Sequence, residues 1–239
     1  MLPGLSPQDD HRQARARLET EGWKWLAKGD WAHVYVSPDG GRVARVVAFD
    51  PAYSLHVRTC LENPDIAHFQ RIDWHASLPP AGQVVVMERL QPAAEAEASH
   101  LCCLLGATKH LGREVQAGEI EAWEAERQSD PLLQRLFVLL RATAAKGERS
   151  LGWFGGLDVR PGNLMQDESG RLKLIDPYFV AGRKLIPAML ADIDAVAKHY
   201  SRVELEAFLE IAAFEDEQDA PGPVLLQLRE RVARLESSA

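Results

Sequence analysis

Cysteine is scarce in this chain: its 239 residues include three, Cys60, Cys102 and Cys103. An odd number leaves one unpaired in any scheme and no two form a C-x-x-C pair, so a disulfide framework is excluded and no redox or zinc motif is indicated. The eight histidines also lack the H-x-H and H-x-x-x-H spacings of zinc ligands. We therefore expect buried, reduced cysteines in a reducing compartment, and no zinc site.

Long apolar runs and an excess of positive charge are also lacking. The apolar run at residues 84–87 falls far short of the roughly 18 residues that a membrane-spanning helix needs. The N-terminus has no basic start followed by an apolar core, so no secretory signal is predicted and the cytoplasm is the expected location. With 27 basic against 35 acidic residues the net charge is −8, which argues against a nucleic-acid partner.

The composition is that of an ordinary folded protein, with 46% apolar and 26% charged residues, and the length suits one large domain or two lobes. Short runs of alternating apolar and polar residues fill the first part of the chain. They predict strands that begin near Trp23 and that cover residues 33–36, 42–47, 69–74 and 83–88. After the third strand, Asp50 and Pro51 predict the N-cap and first residue of a helix that runs to about Leu61.

The pattern changes after Leu90. Residues 93–149 contain no convincing strand, and leucines at helical spacing over 132–143 predict an amphipathic helix. A β-hairpin is predicted over 163–175, with later helices near 187–200, 202–213 and 223–236. A sheet followed by helices predicts an α+β protein with a small β-rich lobe over residues 1–89 and a larger helical lobe over 90–239.

Three polar residues are placed by the predicted hairpin and the loop before it. Asn163 enters the first strand and Asp176 leaves the second, and antiparallel strands joined by a tight turn bring their outer ends together. A carboxylate and an amide oxygen at one point suit Mg²⁺, which completes its shell with water and phosphate. Asp158, in the loop just before the hairpin, is near enough to accept a proton from a hydroxyl. This layout is typical of phosphoryl transfer.

The order Asp-x₄-Asn, with a strand-terminal Asp thirteen residues later, resembles the protein-kinase-like superfamily. The tripeptide Pro161-Gly162-Asn163 is similar to the sequence at this point of the motif in the aminoglycoside and choline kinase-like branch of that superfamily. The resemblance extends upstream: residues 27–31 lie where the family has its phosphate loop, 42–45 where it has the strand of the phosphate-binding lysine, and 84–90 where it has its hinge. It implies a compact phosphotransferase with a bilobal protein-kinase-like fold.

The resemblance also implies roles for particular residues. Asp158 would be the catalytic base and Arg160 a cation near the transferred phosphate, while Asn163 and Asp176 would be the magnesium ligands. ATP and Mg²⁺ are the implied cofactors, and the acceptor is a hydroxyl of a protein or a small molecule. Five residues are expected to contact the nucleotide: Gly29, Val43, Arg45, Met87 and Glu88.

Several positions depart from the family pattern. Gly156 stands in place of a histidine, Asp176-Pro177-Tyr178 replaces Asp-Phe-Gly, and the phosphate loop has one glycine, Gly29. Arg45 occupies the lysine position, and a guanidinium does not replace an ammonium freely. Because of these departures a pseudokinase, which binds nucleotide or a protein without turnover, is the alternative to an enzyme.

Other assignments stay open at the level of sequence. Lys28 either supplies the missing ammonium or is a surface lysine, and the partner of Arg45 is unclear because Glu62 lies at the helix end and His56 in a more central turn. Asp192 or Asp194 either supports the catalytic-loop backbone or is surface charge. Acidic residues between 114 and 130 either attract a cationic substrate or form a solvated face. Residues 176–192 contain no Ser or Thr, so no activation-loop phosphoswitch is expected.

Overall fold

In the computed structural model, residues 6, 8–218 and 221–235 are described. The first part of the chain is built on a five-stranded antiparallel sheet in the order β1-β2-β3-β5-β4. Its elements are α1 (His11–Thr20), β1 (Lys24–Lys28), β2 (Ala32–Val36), β3 (Arg42–Val47), α2 (Pro51–Glu62), β4 (Ile72–Leu78) and β5 (Gly82–Glu88). The three-stranded meander that opens the sheet is as predicted.

The second part is mainly helical and carries two small sheets, β10-β7 and β6-β8-β9. Its elements are β6 (Gln91–Pro92), α3 (Glu95–Leu104), α4 (Ala117–Ser129), α5 (Pro131–Ser150), β7 (Phe154–Leu157), β8 (Leu164–Gln166), β9 (Leu172–Leu174), β10 (Tyr178–Val180), α6 (Gly182–Ala191), α7 (Ile193–Ala197), α8 (Arg202–Phe208) and α9 (Pro223–Arg234). Short 3₁₀ helices cover Lys109–Leu111, Pro161–Asn163 and Ala212–Glu217. The predicted α+β, bilobal fold is confirmed.

Helix α2 begins where the sequence predicts, and its start brings a carboxylate to the end of β3. Asp50 Oδ1 accepts a hydrogen bond from the Tyr53 amide at 2.9 Å, and Pro51 occupies the first turn. An N-cap carboxylate satisfies an amide that the helix itself leaves free. Tyr53 and Val57 then pack against Val85 of β5. The cap therefore fixes both the helix and the position of Asp50.

The two lobes share a continuous core. Phe49 and Phe69 from the first part of the chain belong to the same buried cluster as Leu136, Leu140 and other residues of the helical part. The Tyr178 hydroxyl donates to the Leu140 carbonyl at 3.3 Å. Since burial of this apolar surface is favourable only with both parts in place, the lobes stabilise each other.

One strand prediction is wrong in its bounds. The strand expected over 69–74 is β4, which begins at Ile72 and runs to Leu78. Phe69 instead forms an isolated parallel bridge with Leu174 of the hairpin, where the Leu174 amide donates to the His68 carbonyl at 2.9 Å. The apolar residue that suggested a strand of the sheet is thus held by the other lobe.

The predicted C-terminal helices also need correction. The helix expected from 187 begins at Gly182, contains Pro187, and ends before Asp192, which caps a separate helix, α7. Pro187 has no amide proton to donate to the Arg183 carbonyl, so α6 continues past it with one helical hydrogen bond fewer. The helix expected over 202–213 ends at Phe208 and gives way to a 3₁₀ segment, and the end of the one expected to reach 236 lies outside the described residues. Among the described helices, none is both long enough and apolar enough to cross a membrane.

Candidate active site

A cleft of about 920 Å³ lies between the sheet and the helical part. Val34 and Val43 line it from the sheet, Leu90 from the connecting segment, and Met165 and Ile175 from the hairpin. These side chains make one end of the cleft apolar. Ligand sites commonly combine such apolar walls with a few polar groups that fix orientation.

All nine residues that the sequence analysis singled out for catalysis, nucleotide or metal line this same cleft. They come from positions that are far apart in sequence and from both lobes. The set is Gly29, Val43, Arg45, Met87, Glu88, Asp158, Arg160, Asn163 and Asp176.

Asn163 joins the two carboxylate-bearing segments. Its Nδ2 donates to the Asp158 carbonyl at 2.8 Å, to Asp158 Oδ2 at 2.9 Å and to the Asp176 carbonyl at 3.0 Å. The hairpin produces this meeting because Leu164 pairs with Leu174, which leaves Asn163 and Asp176 at the same outer end. Asn163 is 6% exposed, so the junction is held within the protein rather than by solvent.

The loop that carries Asp158 is held in place by a hydrogen bond to the segment after the hairpin. The Asp158 amide donates to the Pro177 carbonyl at 2.8 Å, and Arg160 Nε donates to Asp158 Oδ2 at 3.1 Å. Tyr178, two residues after Asp176, is buried. Gly156 has φ +95°, a left-handed conformation that a side chain would strain. The two sequence departures at these positions therefore have a local structural basis.

Arg45 is the centre of a buried charge cluster. Its Nη1 donates to Asp176 Oδ2 at 3.0 Å and its Nη2 donates to Asp50 Oδ2 at 3.1 Å. The guanidinium carbon lies 3.6 Å from the centre of the Tyr53 ring. Burial opposes the charge of Arg45, but the Asp176 carboxylate, with Tyr53 and Asp50, outweighs it and raises the pKa of the guanidinium. Arg45 Nε is also buried, and none of the described residues accepts a hydrogen bond from it.

Sequence reasoning missed Asp50 as the partner of Arg45. Glu62 is exposed at the end of α2, while His56 is 0% exposed and is surrounded by the rings of Tyr53, Phe69 and Tyr178. Burial raises the pKa of the Asp50 carboxyl against the opposing effect of Arg45. A usable signal was present, because an N-cap aspartate only five residues after Arg45 must lie close to the end of its strand.

The β1–β2 turn, where the family has its phosphate loop, is attached to the helical lobe. The Asp30 carbonyl accepts from the Ala213 amide at 2.8 Å, and the Trp31 ring lies 5.8 Å from that of Phe208. Lys28 Nζ forms an ion pair with Asp216 at 3.0 Å and does not line the cleft. Lys28 is therefore a surface ion-pair residue and not a substitute for the family lysine.

The residues whose roles the sequence left open lie outside the catalytic loop and the cleft. Asp192 accepts from the Ala195 amide at 2.9 Å as the N-cap of α7, and Asp194 is exposed, so neither supports the catalytic loop. None of the acidic residues between 114 and 130 lines the cleft. Glu119 pairs with Arg113 at 2.6 Å, and Glu126 of that stretch pairs with a histidine of α3. All three cysteines are buried and free, as predicted.

The donor set at the end of the hairpin has the chemistry of a magnesium site. Asp176 Oδ2 accepts from Arg45, and none of the described residues hydrogen-bonds to its Oδ1. Mg²⁺ needs only one or two protein oxygens besides water and phosphate, and two carboxylates with an amide meet that requirement. In the part of the chain that the structure describes, no cluster of three or more His, Cys, Asp or Glu residues is arranged to hold a metal.

Comparison with known proteins gives no match to a family model and no match to a curated protein. Among solved structures, an aminoglycoside phosphotransferase from Streptomyces rimosus is 17% identical, with a TM-score of 0.31 and coverage of 93% of this chain and 90% of that chain. An aminoglycoside 3′-phosphotransferase of type VIII is 15% identical, with a TM-score of 0.35 and coverage of 92% and 96%. A kinase of the Cydia pomonella granulovirus is 14% identical, with a TM-score of 0.34 and coverage of 84% and 73%.

The architecture agrees with the bilobal protein-kinase-like fold that the sequence resemblance implies. A five-stranded sheet with helices α1 and α2 packed on it precedes a helical lobe, and a cleft lies between the two parts. The hairpin with Asn163 and Asp176 at its outer end forms the floor of that cleft next to Asp158.

Proposed function

We propose that this protein is an ATP-dependent phosphotransferase that moves the γ-phosphoryl group to a hydroxyl of a small molecule or a protein. The observation that carries the proposal is the convergence of Asp158, Asn163 and Asp176, joined through one amide nitrogen at 2.8–3.0 Å, on the floor of the cleft. Phosphoryl transfer needs positioning and charge stabilisation rather than covalent chemistry by the protein, and this arrangement supplies both.

The apolar end of the cleft would hold the nucleotide base. Val43 and Ile175 face the cleft from opposite lobes, with Met87, Glu88 and Leu90 along the connecting segment. Apolar side chains cover a base, and backbone groups of the connecting segment are available to its polar edge. Gly29 lies in the turn at the other end of the sheet, on the side where the phosphates would extend.

Asn163 and Asp176 would hold the Mg²⁺, whose charge offsets that of the phosphates. Arg45 keeps Asp176 in place through their 3.0 Å hydrogen bond. Because Asp50 also binds Arg45, the guanidinium is oriented by two carboxylates and acts as a positioning residue. The family lysine is therefore replaced by an Arg45 that acts through Asp176.

Asp158 would accept the proton of the acceptor hydroxyl as its oxygen attacks the γ-phosphorus. The bond from that phosphorus to the bridging oxygen breaks, and ADP leaves. Arg160, which donates to Asp158 Oδ2 at 3.1 Å, would stabilise the charge on the transferred group. We also propose a cytoplasmic location, where ATP is present and free cysteines remain reduced.

A nucleotide-binding protein without turnover is the second candidate. Both carboxylates of the floor already pair with arginines, Asp158 with Arg160 and Asp176 with Arg45. The turn over the cleft is also tied to the helical lobe. These contacts favour a closed cleft that holds a ligand. Both the enzyme and the protein without turnover would therefore bind nucleotide, and only a measurement of turnover distinguishes them.

The test measures Mg²⁺-dependent binding of ATP by melting temperature and transfer of label from γ-labelled ATP in a cell lysate. We expect the wild-type protein to be stabilised by ATP with Mg²⁺ and to transfer label. Asp158→Asn should bind ATP and transfer at least about a hundredfold less label. The control Asp194→Asn, on an exposed helix position, should match wild type. Binding without transfer in every variant would instead support the second candidate.

A further inference from the structure

We give the name outer compartment to one part of the cleft lining. It lies between the β1–β2 turn and the first turn of α6. A β-carbon at Gly182 would lie 3.5 Å from the Trp31 ring, so these two residues close it on one side. The compartment is defined by Trp31, Arg160, Gly182, Arg183, Lys184 and Phe214.

The charged side chains of this compartment are predominantly basic. Arg183 and Lys184 are exposed and line the cleft, and neither forms an ion pair with a described residue. Arg160 is bound to Asp158. Asp30 is the other carboxylate in the lining of this end. Two cations are therefore left without a carboxylate partner, although the chain as a whole has a net charge of −8.

Other carboxylates at the cleft already have cations as partners. Arg45 pairs with Asp176 and Asp50 in the buried cluster, and Glu88 pairs with Lys173 at 3.4 Å. The acidic residues between 114 and 130 face elsewhere. Cations that have no ion-pair partner in a cleft attract an anionic ligand, and the low-dielectric walls of the cleft strengthen the attraction.

A cationic acceptor would meet this compartment with repulsion. Like charges repel, and the repulsion is stronger near a protein surface than in bulk water. An anionic acceptor gains the same interaction with the favourable sign, and charge-assisted hydrogen bonds from an arginine and a lysine strengthen it. The compartment thus selects on the charge of the molecule that carries the hydroxyl.

We infer that the phosphoryl acceptor is a hydroxyl compound bearing an oxyanion, either a carboxylate or a phosphate, which Arg183 and Lys184 bind in the outer compartment. This inference rests on the proposed phosphotransferase function and names its substrate class. The oxyanion keeps its bonds throughout: the hydroxyl oxygen gains the phosphoryl group, the hydroxyl proton goes to Asp158, and ADP carries away the electrons of the broken bond.

The first arm of the test uses four compounds that share one sugar skeleton: glucose, glucosamine, gluconate and glucose 6-phosphate. Each is added at millimolar concentration to the full chain with ADP and Mg²⁺, and the melting temperature is recorded. We expect gluconate and glucose 6-phosphate to raise it and glucosamine to leave it unchanged. The inference is contradicted if glucosamine stabilises more than the anionic compounds, or if neither anionic compound stabilises the protein.

The second arm compares a double variant, Arg183→Ala with Lys184→Ala, with a control of equal charge change, Arg149→Ala with Lys198→Ala. The control residues are exposed and lie outside the cleft lining. We expect affinity for glucose 6-phosphate to fall about tenfold or more in the first double variant only. Equal losses in both variants would show non-specific attraction and overturn the inference.

The γ-phosphate of the nucleotide is a second source of the same chemistry, so affinities for ATP and ADP are measured in the same variants. If the Arg183/Lys184 double variant loses affinity for ATP but keeps its affinity for ADP and for glucose 6-phosphate, the two cations belong to the nucleotide and the inference is wrong. If wild-type protein binds no ATP, the proposed function fails. If it phosphorylates a cationic acceptor, the proposed function stands and this inference alone fails.

Discussion

The two polar regions of the cleft are built in opposite ways. In the deep region, Arg45, Asp50 and Asp176 are buried or half-buried and hydrogen-bonded to one another at 3.0–3.1 Å. In the outer region, Arg183 and Lys184 are exposed and have no carboxylate partner among the described residues. Buried, mutually satisfied charges fix geometry, because losing one leaves another uncompensated. Exposed cations leave stability nearly unaffected and remain available for a ligand.

The largest expected effect is a loss of activity without a loss of stability, and it is expected at Asp158, at the boundary of the two regions. In the wild-type protein, Asn163 Nδ2 donates to Asp158 Oδ2 at 2.9 Å. Asp158→Asn removes the carboxylate that accepts the proton but keeps an amide oxygen that can accept this hydrogen bond. We expect phosphoryl transfer to fall by about 10²–10⁴-fold, with the free energy of unfolding within about 0.5 kcal/mol of wild type. Label transfer and urea unfolding are the measurements. A parallel loss of both would mean that Asp158 is structural.

The next largest effect is a loss of stability in the deep region. Arg45→Met leaves the buried Asp50 carboxylate without its cation, and removing one partner of a buried pair costs about 3–5 kcal/mol. Arg45→Lys is the matched control, because it keeps the charge but cannot bridge Asp50 and Asp176 together, and it should lose less. Urea unfolding at neutral pH measures both. Equal stability of Arg45→Met and wild type would show that the cluster is not important for folding.

A pH dependence of stability is expected from His56 beside the deep region. Burial, with Arg45 nearby, lowers the pKa of His56 to about 3, whereas an unfolded histidine has a pKa of about 6.5. Because the folded-state pKa is the lower one, the contribution of His56 is complete above pH 6.5 and is lost as the pH falls toward 3.

The measurement for His56 is the free energy of unfolding at pH 7 and at pH 5. Wild type should be less stable at pH 5, and His56→Phe should show a smaller decrease, since a phenyl ring fits between Tyr53, Phe69 and Tyr178 without titrating. Asp50 is present in both proteins, so its own titration cancels in the comparison. An identical decrease in the variant would contradict the assignment.

The smallest expected effect belongs to the surface contact of the β1–β2 turn. Lys28→Ala removes the exposed ion pair with Asp216 at 3.0 Å, and such pairs contribute about 0–1 kcal/mol. We expect stability within that range of wild type and unchanged affinity for ATP, measured by unfolding and by calorimetry. A large loss of ATP affinity would return Lys28 to the role of a phosphate ligand.

The parts of the site that could be predicted are those that local structure determines. A hairpin of two short strands fixes where Asn163 and Asp176 meet, and the spacing to Asp158 then follows from the intervening turn. The meander of β1 to β3 was equally predictable, because turn residues and alternation define each strand. Short-range rules suffice for these elements.

The parts that could not be predicted depend on contacts between distant segments. Asp30 and Ala213 hydrogen-bond at 2.8 Å, although no pattern in either segment points to the other. Pro187 suggested a helix start, whereas the core position of Leu185 favours a helix that begins earlier. Phe69 suggested a strand of the sheet, but its bridge to Leu174 is tertiary. In such cases tertiary packing outweighs the local structural propensity of the sequence.

The most direct test of the central claim is the single-turnover rate at which the γ-phosphoryl group of Mg²⁺-bound ATP is lost, to any acceptor or to water, with ATP affinity measured in parallel. The account predicts that wild type and Asp158→Asn bind ATP equally and that the rate falls at least about a hundredfold in the variant. Equal rates in the two proteins, or no binding of ATP by either, would contradict it.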